Sequence, residues 1–389
     1  MSWPMVALGE ITAKVEKADP EKRGLDEFDY IDLSAVSQTE KRVNGVARIA
    51  ASDAPSRARQ IVHPGDVLVS TVRPNLNGVA VVPQGLLNPV GSTGFSVLRA
   101  KPERLDARYL FHWVRMPTFV DEMVRLSTGQ SYPAVSDKIV RSSEIPLPPL
   151  DEQKRIAAIL DKADALRRAR ERARELYHSL RRSYFRSVFE AGRSYECVSF
   201  GDVVFYQEGP GVRKWQFREA GIKLINVKNL VDGRLVLENT WRHLDEDEVA
   251  QKYSHFLLES GDLVIASSGV TWGKIAEVRE SHLPLCLNTS VIRLRPNSET
   301  LLARYLRAFV EIGSFRQQIE RLITGSAQPN FGPSHLAQVQ IPLPPREIQQ
   351  RFSDFSEQLD HLAESNEKAI AEQEALFTSL QSRAFAGEL

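Results

Sequence analysis

Cysteine is nearly missing from this chain: Cys197 and Cys286 are the only two in 389 residues. They are too few and too far apart for a disulfide framework or a zinc knuckle, which favours a reducing compartment. Long apolar runs are missing as well. No stretch approaches the roughly 20 apolar residues of a membrane span, and Met1-Ser2-Trp3-Pro4-Met5 lacks a basic region followed by an apolar core. The chain therefore reads as cytoplasmic, with no membrane partner. Excess charge of either sign is lacking too: 50 Lys and Arg face 50 Asp and Glu, which argues against a protein that holds nucleic acid by bulk charge alone. With 42% hydrophobic and 26% charged residues, the default is an ordered chain with room for two domains.

The signatures of catalysis are absent in turn. Gly269-Val270-Thr271-Trp272-Gly273-Lys274-Ile275 is one residue short of a phosphate-binding loop and lacks the hydroxyl that would hold magnesium. No Gly-x-Gly-x-x-Gly turn follows a strand, and no Asn/Asp-Pro-Pro-aromatic tetrapeptide is present; Asn88-Pro89-Val90-Gly91 reads as a turn. The histidines are scattered without ligand spacing. Glu152-Gln153-Lys154 matches the Glu-x-Lys of many metal-dependent nucleases, but it sits at a helix start without a strand-borne aspartate before it. No catalytic residue, metal or cofactor is expected.

What is present is a repeat. Ile-Pro-Leu-Pro-Pro stands at Ile145–Pro149 and again at Ile341–Pro345, 196 residues later. At the same offset Ala107-Arg108-Tyr109-Leu110 recurs as Ala303-Arg304-Tyr305-Leu306, Thr128-Gly129 as Thr324-Gly325, Pro133 as Pro329 and Gly65-Asp66 as Gly261-Asp262. A shared register over such distances implies duplication of a whole domain. Each copy starts with short β-like runs such as Asp66–Ser70 and Asp262–Ala266, punctuated by Gly, Pro and Asn, and includes a predicted helix at Ala107–Met116 or Ala303–Phe315. After each Pro-rich junction, helix formers run for about 40 residues without proline, which predicts a long helix. The expected boundaries are 1–145 and 194–341 for two strand-rich α+β domains, with helices in 146–193 and 342–389.

Both helices show heptad spacing. The second predicts a seam of Ile348, Phe352, Phe355, Leu359, Leu362, Asn366, Ala369, Gln373, Leu376 and Leu380; the first predicts Glu152, Ile156, Ile159, Ala163, Leu166, Arg170, Ala173, Tyr177, Leu180 and Tyr184. The helix-pairing positions expected from this are Ile156, Ile159, Leu166, Leu180, Phe352, Phe355, Leu359, Leu362, Leu376 and Leu380. Residues 151–193 hold 12 basic and 7 acidic residues, whereas 346–389 hold 4 and 9. Opposite charge favours pairing of the two helices with each other, and the expected arrangement of the pair is an antiparallel coiled coil. The alternative is two separate amphipathic helices, each lying on its own domain.

Domain, Pro-rich junction and long helix, all repeated once, closely resemble the specificity subunit of type I restriction-modification systems. The most specific stretches are Thr128-Gly129-Gln130-Ser131-Tyr132-Pro133 through Gln153, their copy Thr324 through Pro345, and the ending Phe377–Leu389. Arg346-Glu347-Ile348-Gln349 departs from the commoner Leu-x-Glu-Gln start of the second helix. The resemblance implies two target recognition domains, each reading one half of a split double-stranded DNA site. It also implies helices that set their separation and dock modification (methyltransferase) subunits, expected to be two, with restriction (endonuclease/translocase) subunits joining through the complex. Catalysis would belong to those other chains.

Subtracting the two helices leaves 34 basic and 34 acidic residues in the domains, so the chain's own counterion-release contribution should be modest. Base reading is then expected from polar loop residues whose donors and acceptors match base edges. The candidates in the first domain are Arg57, Arg59, Arg73, Asn75, Asn77, Gln130 and Tyr132. Those in the second are Arg213, Lys214, Trp215, Lys228, Asn229, Ser268, Thr271, Trp272, Lys274, Gln328 and Asn330. The bland alternative for each is a solvated loop residue, a turn former or, for Trp and Tyr, a core packer. A coiled-coil scaffold binding only proteins would explain the helices, but not two domains whose frames match while their loops differ.

Overall fold

The computed structural model describes residues 3–190, 195–238, 240–323 and 329–389. It divides into two compact units, Met1–Ala173 with Asn366–Leu389, and Arg174–Ser365. Each unit is an α+β domain closed by portions of both long helices, Leu150–Phe189 and Arg346–Ala386. Among the described residues no helix is long and apolar enough to cross a membrane.

The duplication extends to strand order. In the first unit an antiparallel sheet runs Thr12–Ala13, Phe95–Ala100, Val67–Ser70, Val79–Val81; in the second, Val204–Glu208, Val291–Pro296, Leu263–Ala266, Ile275–Glu277. A second sheet in the first unit is ordered Ala47–Ala50, Glu27–Ile31, Val90–Ser92, Ala58–Ile61, with Glu27–Ile31 parallel to Val90–Ser92. Its counterpart is His243–Leu244, Ile222–Leu224, Leu285–Cys286, again with one parallel pair.

The repeated motifs have matching structural duties. Gly65 and Gly261 take φ of +92° and +90°, left-handed turns that glycine enters without steric cost. The aspartate that follows is buried in both copies and receives two guanidinium bonds, from Arg99 at 2.8 and 2.7 Å and from Arg295 at 2.6 and 3.0 Å. Tyr109 and Tyr305 open the helices Ala107–Trp113 and Ala303–Glu311, shorter than predicted, and each donates its hydroxyl at 2.7 Å to the junction carbonyl of Pro146 or Pro342. A glutamine early in each long helix completes the joint. Gln153 donates to Arg104 and Pro148 carbonyls and accepts from the Asp106 amide; Gln349 donates to Thr300 and Pro344 and accepts from Leu302. Beside it, Glu152 is occupied by an ion pair with Arg155 at 2.7 Å.

The long helices supply part of each core. In the first unit Ile156, Ala157, Leu160, Phe377, Ala384 and Phe385 join Tyr109, Leu110 and Val140; in the second, Phe185, Phe189 and Phe352 join Tyr305, Leu306 and Phe309. Within each unit the two helices run antiparallel. The Asn366 amide donates to the Arg170 carbonyl at 2.9 Å while Arg155 reaches Leu389; in the second unit Tyr184 stacks on Phe352 and Arg181 pairs with Asp360.

The seam differs from its expected phase in one of its two rows. Ile156, Phe352 and Leu359 are buried and Leu380 half-buried, but Leu166, Leu180, Leu362 and Leu376 are 59, 49, 52 and 56% exposed. The other row lies one residue later, at Leu160 and Arg167 on the first helix and Ser356, Ala363, Ile370 and Phe377 on the second, so Ile159 and Phe355 sit at the edge, half-buried. From Phe352 a helix can continue its stripe at +3 or +4, and apolar content favours 355 and 362. Small Ser356 and Ala363 face inward instead because they let the backbones approach, while Phe355 packs from the side on Tyr184 at 4.4 Å.

Candidate nucleic-acid interface

In the first unit the hairpin joining Val67–Ser70 to Val79–Val81 carries Arg73, Asn75 and Asn77. Segment 128–135 is fastened beside it: the Arg73 amide donates to the Pro133 carbonyl at 2.7 Å and the Val135 amide to Thr71 at 2.9 Å. In the second unit the hairpin joining Leu263–Ala266 to Ile275–Glu277 carries Ser268–Lys274. There the Gly269 amide donates to Pro329 at 3.1 Å and the Phe331 amide to Ser267 at 2.9 Å. At the 196-residue offset these are equivalent bonds. The same pair of bonds thus holds the two segments side by side in each copy.

The side chains on this shared frame differ. In the first unit Arg73, in the left-handed region at φ 50°, lays its guanidinium 4.6 Å over the Tyr132 ring, which is 68% exposed. Asn75 and Gln130 are exposed beside them. In the second unit Val270 stands at the hairpin tip, 96% exposed, with Thr271 half-buried, Lys274 exposed and Ser268 bridged to exposed Asn330. Gln328 lies outside the described residues.

Other expected positions fall elsewhere. Arg57 is exposed, and its carbonyl accepts from the Thr93 amide at 2.8 Å. Arg59 is engaged internally, paired with Asp19 at 3.0 Å and donating to the Ala58 carbonyl. Asn77 turns inward, its carbonyl accepting from Lys41 at 2.5 Å and its amide donating to the Arg115 carbonyl at 3.3 Å. Trp272 is buried, edge-on to Phe331 and covered by the Arg316 guanidinium at 4.4 Å, so it packs the core. Asn229 is buried as well; it caps its own turn through the Asn226 amide and donates to Val236 and Thr240. Lys228 on that turn stays exposed.

Arg213, Lys214 and Trp215 are exposed and belong to a second patch of this unit, Trp215 being 71% exposed. Its other half consists of residues for which the sequence offers no spacing or motif. Trp241, 67% exposed, meets Phe217 edge-on, and Arg242 lies 4.7 Å over Trp241 and 5.0 Å over Phe217. Glu208 also carries no motif; it is half-buried near Gly332, and burial pushes its carboxyl up from the ordinary value. Val270, being apolar, carries no polar signal in the sequence, yet a methyl-bearing tip suits contact with a thymine methyl.

The surfaces thus offer guanidinium, amide, hydroxyl and aromatic groups on braced loops, the inventory for hydrogen bonding and stacking on bases. Among the described residues no group of three or more His, Cys, Asp or Glu could hold a metal ion.

Comparison with known proteins agrees with this inventory. The family described as the type I restriction modification DNA specificity domain matches twice, over residues 2–175 and 195–374. The MjaVIII type I restriction enzyme specificity subunit of Methanocaldococcus jannaschii is 27% identical over 328 residues, 79% of this chain and 75% of that one. The MjaIX specificity subunit of the same organism is 22% identical, covering 84% and 78%. A chain solved in a study of complex assembly and conformational transition of the type I R-M system superimposes with a TM-score of 0.63 at 26% identity, over 100% of this chain and 98% of that one. The type I restriction-modification S subunit from M. genitalium shares the fold, with a TM-score of 0.61 at 15% identity over 98% and 96%. Two family matches spanning most of the sequence, on a duplicated fold with paired helices, place the chain in the type I restriction-modification DNA specificity family.

Proposed function

We propose that this specificity subunit reads a split double-stranded DNA site, one half-site per unit, using the paired loops 71–78 with 128–135 and 267–274 with 329–331. One observation carries the reading. The same interloop hydrogen bonds recur in both units, while the side chains they present do not. A constant frame with variable tips is what reading two different half-sites requires. The chain itself is the non-catalytic recognition component, acting in the cytoplasm. The long helices, continuous through both units, dock two modification subunits and through them the restriction subunits, and their length sets the gap between half-sites.

The test is methylome sequencing of cells carrying the assembled system. Arg73→Ala with Tyr132→Ala should relax bases in one half-site only, and Val270→Asn with Thr271→Ala bases in the other only. Changes spread over both half-sites, or none from either pair, would refute the assignment of one half-site per unit.

A further inference from the structure

The first unit contains a basic cavity that base reading does not explain. It opens to the surface, has a volume of about 280 Å³ and is lined by Lys41, Asn77, Arg115, Arg167, Glu171 and Phe377, among others. Its charges are out of balance. A single buried carboxylate, Asp164, serves three guanidiniums: Arg115 at 3.2 Å, Arg167 at 3.2 Å, and Arg168. Glu171, which also lines the cavity, lies 3.8 Å from Arg167. Lys41 has no carboxylate partner among the described residues; its ammonium donates to the Asn77 carbonyl. Four cations therefore meet two anions. Arg115 is 8% exposed, and Phe377 lies under both Arg115 and Arg167, 5.7 and 5.8 Å from their guanidiniums.

This excess is not required by the duplicated plan. At the 196-residue offset Asp164 is retained as Asp360, but Lys41, Arg115, Arg167 and Arg168 correspond to Leu237, Glu311, Ala363 and Glu364. Asp360 pairs there with Arg181 and Arg304. The same architecture thus closes without concentrated positive charge, and the first copy carries it in addition. A buried donor on one of the cavity residues, Arg167 Nε, also lacks a partner. Burial, followed by repulsion from Arg115 and Arg167, pulls the Lys41 ammonium down to about 8, against the attraction of Asp164.

We propose that this cavity is a phosphate-binding site, in which Lys41, Arg115 and Arg167 hold one phosphate-type oxyanion. Such an anion would cancel the local excess and accept charge-assisted hydrogen bonds from groups already fixed in place. The phosphate comes either from solution or from the DNA backbone; Asn77, on the hairpin assigned to base reading, forms part of the wall.

The experiment uses the purified full-length chain and inorganic phosphate, titrated against potassium chloride at constant ionic strength. Calorimetry gives the affinity, and acetylation of Lys41 at pH 8, followed by mass spectrometry, gives occupancy. Saturable binding that slows Lys41 acetylation is expected, with affinity falling about 10- to 100-fold in Lys41→Met. Because burying that ammonium is unfavourable, Lys41→Met should melt no lower than the parent in chloride, so lost binding cannot be ascribed to unfolding. General stabilisation by an excluded salt would be equal in both proteins and would overturn the proposal. A second arm adds duplex containing the methylated site to the chain assembled with its modification subunits. Protection of Lys41 by duplex, reversed by inorganic phosphate, assigns the site to the DNA backbone; an unchanged phosphate titration assigns it to a free anion. Lys41 labelling insensitive to both phosphate and duplex refutes the site.

Discussion

Replacing Gln349 with leucine tests how a recognition domain is fastened to its helix. Gln349 is fully buried and makes three hydrogen bonds, donating at 2.8 Å to the Thr300 and Pro344 carbonyls and accepting at 2.9 Å from the Leu302 amide. Leucine has similar volume, so the perturbation is loss of these bonds more than loss of packing. The Pro344 carbonyl is left in a buried setting, at about 1–3 kcal/mol, while Thr300 and Leu302 are partly reached by water and should lose about 1 kcal/mol each. The total is roughly 3–5 kcal/mol. For a unit of this size that corresponds to a fall in Tm on the order of 10 °C. The assay is calorimetric melting of the full chain against the exposed control Gln358→Leu. Gln153→Leu should produce a similar loss in the other unit, since Gln153 makes the equivalent bonds. If Gln349→Leu melts within about 2 °C of the control, the joint does not contribute as argued.

Phe352→Ala, which empties a buried site, should cost about 3–5 kcal/mol in urea unfolding. Leu362→Asp, at an exposed position, should cost under about 1 kcal/mol; the reverse order would restore the seam phase read from sequence. Asp360 is driven up by burial but held below the usual carboxylate range overall by Arg181 and Arg304. Its depressed value means its stabilising contribution is present above the ordinary Asp pKa of about 4 and lost as pH falls through its folded value, so Asp360→Asn should flatten that acid limb of a stability-pH profile. Purified chain without modification subunits should show only weak, salt-sensitive DNA binding by fluorescence anisotropy, because the domains carry no net charge; tight specific binding near physiological salt would refute this. Inserting four residues, about 6 Å of helix, after both Arg172 and Lys368 should lengthen the gap in the methylated sequence by one or two base pairs and leave both half-sites unchanged. An unchanged gap in the methylome would show that the helices do not set it.

The sequence alone determined the duplication, the two long helices and their mutual preference. These features rest on local rules: identical residues at one offset, uninterrupted helix formers, and opposite charge on matched heptads. It also marked Tyr109 and Tyr305, Gly65 and Gly261 as repeated without saying why. Only tertiary structure showed that the tyrosines and Gln153 and Gln349 bind the Pro-rich junctions, because their partners are carbonyls that any residue could supply. The seam phase was likewise undecidable locally: Phe355 and Ser356 both follow Phe352 at permitted spacing, and closeness of the partner backbone, not hydrophobicity, selects the serine. For the loops the limit is stricter. Trp272 and Asn229 look like reading residues by type, but one is drawn into the core by Phe331 and Arg316 and the other is consumed by its own turn. Val270 and Trp241, bland in the sequence, are carried outward by the hairpins that hold them. Which loop side chain faces outward depends on contacts with segments about 60 residues away, such as Pro329 on Gly269, and no local pattern encodes those.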